Sequence, residues 1–253
     1  MQLNFLTGYD NESAFIDRTE IQSQFWDGEF KLEKLSRQPY YKNVEKFFTS
    51  LDYSLVPAYK EYWASVTPKN DSEIFQRWLF AFMSVHTSWQ ANIVGYEAIK
   101  QWWLWLNDWN GLKDKIEASR VGMQNNRTRY ISAFAHKFWS DPEEYKKKAG
   151  ESWSDMRERL KHNTLGLGSA KTSFALEMCY PTEAKLVCLD THMFQAYKLD
   201  QVRDNRLYST IEQHWTDMCT MWNVPPYIAR CLYWDIKQGY SDSRYWSKVL
   251  ETK

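Results

Sequence analysis

LGLGSAKTSFALEMCYPTEAKLVCLDTHMFQAY, from Leu165 to Tyr197, decides how the rest of the chain is read. A Gly-x-Gly turn, Gly166 and Gly168, opens an apolar helix, and about twenty residues later Asp190-Thr191-His192 opens another. A glycine-rich turn feeding a helix leaves backbone N–H groups pointing outward, a ready site for an anion. A carboxylate at the next helix start can sit near that anion without being its ligand. Phosphate contact beside a lone carboxylate is a constellation for chemistry on a nucleotide. Each half also has a plainer reading. An Asp before Thr-His-Met is an ordinary N-cap, and a Gly-x-Gly is also a tight turn between helices with no ligand.

The helical period continues on both sides of this stretch. Helices are expected near 42–50, 53–66 and 71–88; in the last, Ile74, Trp78, Leu79 and Phe82 form one apolar stripe and Asp71 or Ser72 is the cap. Another is expected near 91–109, with Ile99, Trp102, Trp103 and Leu106 at helical spacing and Asn110-Gly111 ending it. Shorter helices are expected near 112–118, 127–139, 141–148 and 153–162. After the turn come helices near 170–179, stopped by Pro181, and near 191–198, 207–221, 225–238 and 242–250, with Pro225-Pro226 marking a start. Ala184–Leu189 reads as a short apolar connection, and no strand pattern or repeat is visible. The expected architecture is all-α, two helical lobes with a cleft. Residues 1–70 read as an N-terminal helical extension or arm, irregular at Gly8, Gly28 and Pro39, and residues 71–253 as the domain that holds both lobes.

Composition sets bounds on function. With 253 residues and 43 % apolar content the chain can bury a sizeable core. Aromatics make up 17 %, with 14 Trp, which serve as core and can also serve as platforms for stacked bases. The 32 basic and 32 acidic residues cancel, which argues against a protein that coats nucleic acid by charge alone. Lys146-Lys147-Lys148 with Arg157, Arg159 and Lys161, just before the turn, form either a DNA-facing patch or a solvated face interleaved with Glu144, Glu151, Asp155 and Glu158. Cys179, Cys188, Cys219 and Cys231 show no zinc spacing and no disulfide frame. Neither a signal peptide nor an apolar run of membrane-spanning length is visible, so a soluble, intracellular protein with no membrane partner is expected.

The order of parts resembles the helix-hairpin-helix DNA glycosylase superfamily, of the endonuclease III and 8-oxoguanine glycosylase type. There the hairpin reads Leu-Pro-Gly-Val-Gly, and the catalytic Asp opens a helix as Val-Asp-Thr-His or Val-Asp-Val-His. Here the two pieces are Thr164-Leu165-Gly166-Leu167-Gly168 and Cys188-Leu189-Asp190-Thr191-His192. The resemblance is sharp over Leu165–Tyr197, diffuse over Glu73–Asp242 and absent from the first seventy or so residues. It implies a hairpin and an Asp190 at the mouth of the cleft. Asp190 is then the catalytic carboxylate that stabilises positive charge on the sugar and orients a water. The implied partner is double-stranded DNA with a damaged or modified base flipped into a pocket. Gly166, Gly168 and Ser169 supply backbone contacts to a phosphate, and His192 touches a phosphate or is a helix-face His. Ser84–Gln90 matches the segment that fills the gap left by the flipped base, with His86 as filler and Trp89 or Gln90 lining the base pocket. Tyr227 and Trp234 read as core packing. Some members carry a four-Cys iron–sulfur loop whose spacing is missing here. No metal or organic cofactor is required, and a monomer is expected.

Lys171 is the ambiguous residue. Bifunctional relatives read Gly-x-Gly-x-Lys-Thr, their Lys being the nucleophile that forms a Schiff base and cleaves the strand. Here Gly166-Leu167-Gly168-Ser169-Ala170-Lys171-Thr172 brings the Lys one residue late. Aligned without a gap, Ala170 takes the nucleophile position and Phe174, Ala175 and Leu176 match the relatives' apolar face. One inserted residue restores Lys171-Thr172 but puts Glu177 on that face, a rotation of about 100°. We adopt the ungapped alignment, which makes Lys171 a phosphate or leaving-group contact or a solvated side chain. The resemblance thus implies a monofunctional DNA glycosylase. The alternatives are a bifunctional glycosylase/lyase using Lys171, a phage-type enzyme on the same fold that hypermodifies thymine, and a DNA-binding module without chemistry.

Overall fold

The computed structural model describes residues 39–239 together with Trp246 and Val249. The expected N-terminal arm lies outside the described residues as far as residue 38. So does the helix expected near 242–250, apart from Trp246 and Val249, which are helical. Among the described residues the fold is all-α. The helices are α1 Lys42–Ser50, α2 Val56–Ser65, α3 Asp71–Met83, α4 Trp89–Ile99, α5 Trp109–Ala118, α6 Gln124–Ser140, α7 Trp153–Asn163, α8 Ser169–Cys179, α9 Thr191–Ala196, α10 Tyr208–Met221 and α11 Pro226–Gln238. The described residues divide into two compact units, one holding Trp63–Ala184 with Trp246 and Val249, the other residues 39–62 and the segment from Lys185 through α11.

The first of these units is built on α3. Its cap is Asn70 rather than Asp71 or Ser72: Asn70 Oδ1 accepts from Glu73 N at 3.0 Å, while the Glu73 carboxylate takes Asn70 Nδ2 at 2.8 Å and Lys69 N at 2.9 Å. This is a reciprocal box that satisfies one open amide of the first turn, Glu73 N, and ties the Glu73 side chain back to the residues before the helix. From Phe75 to Met83 every residue but Gln76 is buried, so the expected stripe is a helix packed all round. α4, α6 and α8 surround it. Phe75 stacks on Phe134 of α6 with ring centroids 5.2 Å apart. Buried Arg77 lies 3.5 Å from the Trp246 ring centroid, a cation–π contact that lets the charge stay in the core.

Three expected helices are shorter than the apolar spacing suggests. α3 stops at Met83, where Ser84 Oγ donates to Ala81 O at 2.7 Å. The helix expected over 91–109 ends at Ile99. Trp105 is buried and its indole N–H donates to Ile99 O at 2.8 Å, while Trp102 stacks on Trp139 with centroids 4.2 Å apart. The rings keep helical spacing in sequence, but their partners lie in different directions, and the chain turns to reach them. Asn110-Gly111 therefore sits in the first turn of α5, capped by Asp108, whose Oδ1 accepts from Gly111 N at 2.9 Å. In place of a helix over 141–148 a single 3-10 turn, Pro142–Tyr145, drops Tyr145 into the core against Trp78, Phe134 and Phe138.

The second unit packs α1 against α10. Phe47 and Phe48 lie on Trp215 with centroids 5.8 and 5.0 Å away. Tyr59 of α2 donates its hydroxyl to the buried carboxylate of Asp235 on α11.

Candidate functional site

The hairpin is α7, a turn and α8. Gly166 has φ +89, a conformation that suits glycine, and a Cβ there would come within 2.4 Å of the Tyr130 ring from α6. Buried Leu167 anchors the turn from below. Gly168 is different: its φ is −87, and nothing lies within 4 Å of where its Cβ would point. No side chain caps the first turn of α8. The amides there are open and carry the positive end of the helix dipole, an arrangement made for an anion. Ser169 Oγ accepts from Lys161 Nζ at 3.3 Å, and half-buried Lys171 holds its ammonium 5.6 Å above the Phe174 ring.

α8 removes the basis on which we chose its register. Every residue from Thr172 to Cys179 is buried, Glu177 included. With no solvent face in that stretch, an apolar face cannot tell the ungapped alignment from the gapped one.

The lysine run before the hairpin is engaged by its own neighbours, two of its three lysines by carboxylates. Lys146 pairs with Asp71 at 2.9 Å and Glu143 at 2.5 Å, and Lys148 with Glu144 at 2.7 Å. Lys147 donates to Glu151 O and lies 5.0 Å from the Trp153 ring centroid. Arg159 grips Glu151 at 2.6 Å. The cations at the turn itself come from elsewhere. Lys161 is paired with Glu158, and Lys137 of α6 donates to Asn163 O, the end of α7, at 3.2 Å. Arg129 of α6 lies 4.8 Å from the Tyr130 ring centroid and donates to its hydroxyl at 3.0 Å. Lys171 completes the set. The signal was present in the sequence and passed over: between Glu117 and Asp141 the chain carries Arg120, Arg127, Arg129 and Lys137 and no acidic residue.

His86, Trp89 and Gln90 belong to the same unit. His86 is exposed at φ +52 in the loop between α3 and α4, Trp89 is half-buried with its ring edge-on to Phe80 at 5.6 Å, and Gln90 is exposed. The loop is held from beneath by buried Arg127, whose guanidinium donates to Phe82 O at 2.7 Å, Met83 O at 3.3 Å, Gly122 O at 3.0 Å and Val85 O. Burial pulls the pKa of this guanidinium below its ordinary value, and the carbonyls around it take up its donors. Arg127 was missed in the sequence, where nothing separates it from a surface arginine.

Asp190 and His192 lie in the other unit. The segment Leu186–Leu189, which belongs to no helix, is buried, and side chains satisfy the backbone groups of Val187 and Leu189. Val187 N donates to Glu212 Oε1 at 3.2 Å. The Tyr208 hydroxyl donates to Val187 O at 3.1 Å and accepts from Leu189 N at 3.4 Å. Gln201 Nε2 donates to Leu189 O at 3.2 Å, and its Oε1 accepts from Thr191 Oγ1 at 2.7 Å. Asp190 then caps α9, its Oδ1 accepting from His192 N and Met193 N, each at 3.0 Å. Its Oδ2 accepts no hydrogen bond among the described residues. Half-buried Tyr233 has its phenol pKa raised, first by burial and then by the Asp190 charge. Exposed His192 meets half-buried Trp234 edge-on at 4.6 Å, so Trp234 is only partly core, while Tyr227 is fully buried.

Among the described residues no cluster of His, Cys, Asp and Glu could hold a metal, and no helix is long and apolar enough to cross a membrane. The four cysteines are buried, and among the described residues none is in a disulfide.

No protein-family model matches this sequence, and no curated protein does. Solved structures do match. The 8-oxoguanine DNA glycosylase of Thermotoga maritima superposes with a TM-score of 0.63 at 14 % identity, over 80 % of this chain and 99 % of that one. The 8-oxoguanine DNA glycosylase of Methanocaldococcus jannaschii gives 0.62 at 18 % identity, over 82 % and 97 %. The Methanocaldococcus jannaschii 8-oxoguanine glycosylase/lyase, in complex with a 15mer DNA containing 8-oxoguanine, gives 0.62 at 18 %, over 80 % and 98 %. The fold is thus one shared with these 8-oxoguanine DNA glycosylases, as the resemblance implied.

Proposed function

We propose that this protein is a DNA glycosylase that releases a damaged or modified base from double-stranded DNA by hydrolysing the N-glycosidic bond. The observation that supports this best is Asp190, a carboxylate fixed through Oδ1 at a helix start with Oδ2 left over. The cap and the catalytic role are compatible because they use different oxygens. As the bond to the base breaks, positive charge builds on the sugar, and Oδ2 stabilises it and orients a water. Water adds to the anomeric carbon and loses a proton, the departing base takes one, and the products are a free base and an abasic site. The open amides of Ser169 and its neighbours take a backbone phosphate, and His192 contacts a second. The base leaves the stack first, His86 fills its place, and Trp89 or Gln90 lines the base pocket.

The solved neighbours are 8-oxoguanine glycosylases, so a duplex carrying 8-oxoguanine is the first substrate to offer, with other lesions and plain DNA beside it. Mass spectrometry of the products tests the reading. A free base with an abasic strand is expected; a heavier nucleoside points to a base-modifying transferase, and binding without any product to a module that lacks chemistry.

One observation favours a second reading. Lys171 has no carboxylate partner among the described residues, so no ion pair holds its side chain away from a sugar. Under this reading Lys171 forms a Schiff base with the sugar and the strand is cut. Borohydride trapping of the protein on DNA, lost in Lys171→Gln, would select it. Intact abasic sites that break only in alkali would select the monofunctional reading.

A further inference from the structure

We infer that Arg129, mounted on Tyr130, is a second phosphate-binding group beside the hairpin, so that α6 grips the DNA backbone as well as the first turn of α8. The inference deepens the DNA-glycosylase reading and rests on it. Three observations carry it. The Tyr130 ring lies so close to Gly166 that a Cβ at that glycine would meet ring carbons at 2.4 and 2.6 Å, so the ring is fixed against the turn. Arg129 is exposed and lies against the same ring, 4.8 Å from its centroid, with one Nη donating to the phenol oxygen at 3.0 Å. Finally, no carboxylate pairs with Arg129 among the described residues, and α6 carries none from end to end.

A guanidinium held this way has lost much of its rotamer freedom before any ligand arrives, and its remaining donors form a planar fork suited to phosphate. The other cations at the turn are differently occupied. Lys161 is paired with Glu158, and Lys137 is spent on the carbonyl that ends α7. Lys171 has no carboxylate partner among the described residues but belongs to the first turn of α8, the place already read for the phosphate on the amides. Arg129 is the donor set placed outside that turn, for a neighbouring phosphodiester.

The test is the salt dependence of DNA binding, measured by fluorescence anisotropy between 50 and 200 mM salt on lesion-bearing and plain duplexes. Each phosphate contact adds about 0.9 to the slope of log affinity against log salt. Arg129→Gln is expected to lower the slope by about that amount on both duplexes, a ~3.5-fold smaller loss of affinity across this fourfold salt range. Arg129→Lys should restore the slope, since the charge returns without the fork. Lys148→Gln, which removes a lysine already paired with Glu144, should behave as wild type. Arg129 is exposed, so an unchanged circular dichroism spectrum is expected throughout. An unchanged slope for Arg129→Gln, or an equal fall for Lys148→Gln, overturns the inference while leaving the glycosylase reading in place. A wild-type protein that binds no DNA overturns both.

Discussion

At the hairpin the groups offered to a ligand are backbone amides; at the Asp190 corner the group offered is one carboxylate oxygen. The hairpin needs only a turn that leaves the first amides of α8 uncovered, and two glycines with a buried Leu167 achieve that within five residues. The corner has to hold a side chain at a fixed place. It does so with a buried segment outside any helix whose polar groups are matched by Tyr208, Gln201 and Glu212, twelve or more residues downstream. A backbone site can be local; a side-chain site recruits its supports from wherever the fold brings them.

The largest expected effect breaks the corner alone. Asp190→Asn should lower base release by on the order of 10²–10³ in rate, with DNA affinity unchanged or improved because a negative charge has left the backbone's neighbourhood. The amide oxygen still accepts from His192 N and Met193 N, so α9 stays capped and the loss reads as lost charge rather than lost structure. Single-turnover release of base measures it. Near-wild-type turnover would move the chemistry away from Asp190.

The two glycines should fail differently. Gly166→Ala forces a side chain to φ +89 and into the Tyr130 ring. That costs on the order of 1–2 kcal/mol for the backbone and about 1–3 kcal/mol for the overlap, a fall in Tm of roughly 5–15 °C. Gly168→Ala meets no atom and a permissive φ, so Tm should hold within a degree or two. Its methyl group would instead obstruct the amides and weaken DNA binding. Equal Tm values for the two variants would show that the turn does not depend on the close approach of Tyr130.

The same contrast explains what was legible. The fold class, the hairpin and Asp190 stand close together in sequence, and local chemistry marks each: glycine where the backbone needs it, an acid before a helix, an apolar run between. The break at Ile99 was invisible because Trp102, Trp103 and Leu106 keep helical spacing, and only the separate partners of Trp102 and Trp105 reveal the turn. The lysine run looked like a DNA face because sequence shows charges but not pairing. α6 carries the same number of Lys and Arg as that run, three, yet lacks acids altogether, and pairing is what decides whether a charge is available. Arg127 and Tyr208 had no local mark, since a buried arginine gripping four carbonyls reads in sequence like any other.

Tyr208→Phe tests the corner's supports with a smaller expected effect. It removes one hydroxyl that donates to Val187 O and accepts from Leu189 N, both buried. Leaving them unmatched costs about 1–3 kcal/mol. Because these groups stand just before Asp190, kcat should fall further than DNA affinity, most of whose proposed contacts are made by the hairpin. A parallel loss of affinity would mean that the substitution damages the whole fold rather than the corner.

The smallest expected effect tests whether the hairpin's grip is local. Replacing Lys146, Lys147 and Lys148 together with Gln removes three positive charges from the segment just before α7, and a tally of charge predicts a flatter salt dependence. Pairing predicts none, because Lys146 and Lys148 are held by Asp71, Glu143 and Glu144, and Lys147 by Glu151 O and the Trp153 face. The acids hold up their side. Glu144 is kept below the ordinary carboxylate range chiefly by its hydrogen bond from Lys148, and Glu151 chiefly by that from Arg159. A lowered carboxylate pKa means the pairs are intact above the usual range and are lost only as the pH falls through the lowered one. At neutral pH the triple variant should therefore bind DNA with the wild-type salt slope, and its exposed pairs should contribute little to stability. A slope that flattens by two or three contacts at neutral pH would show that DNA draws these lysines away from their acids, and that the grip extends well beyond the turn.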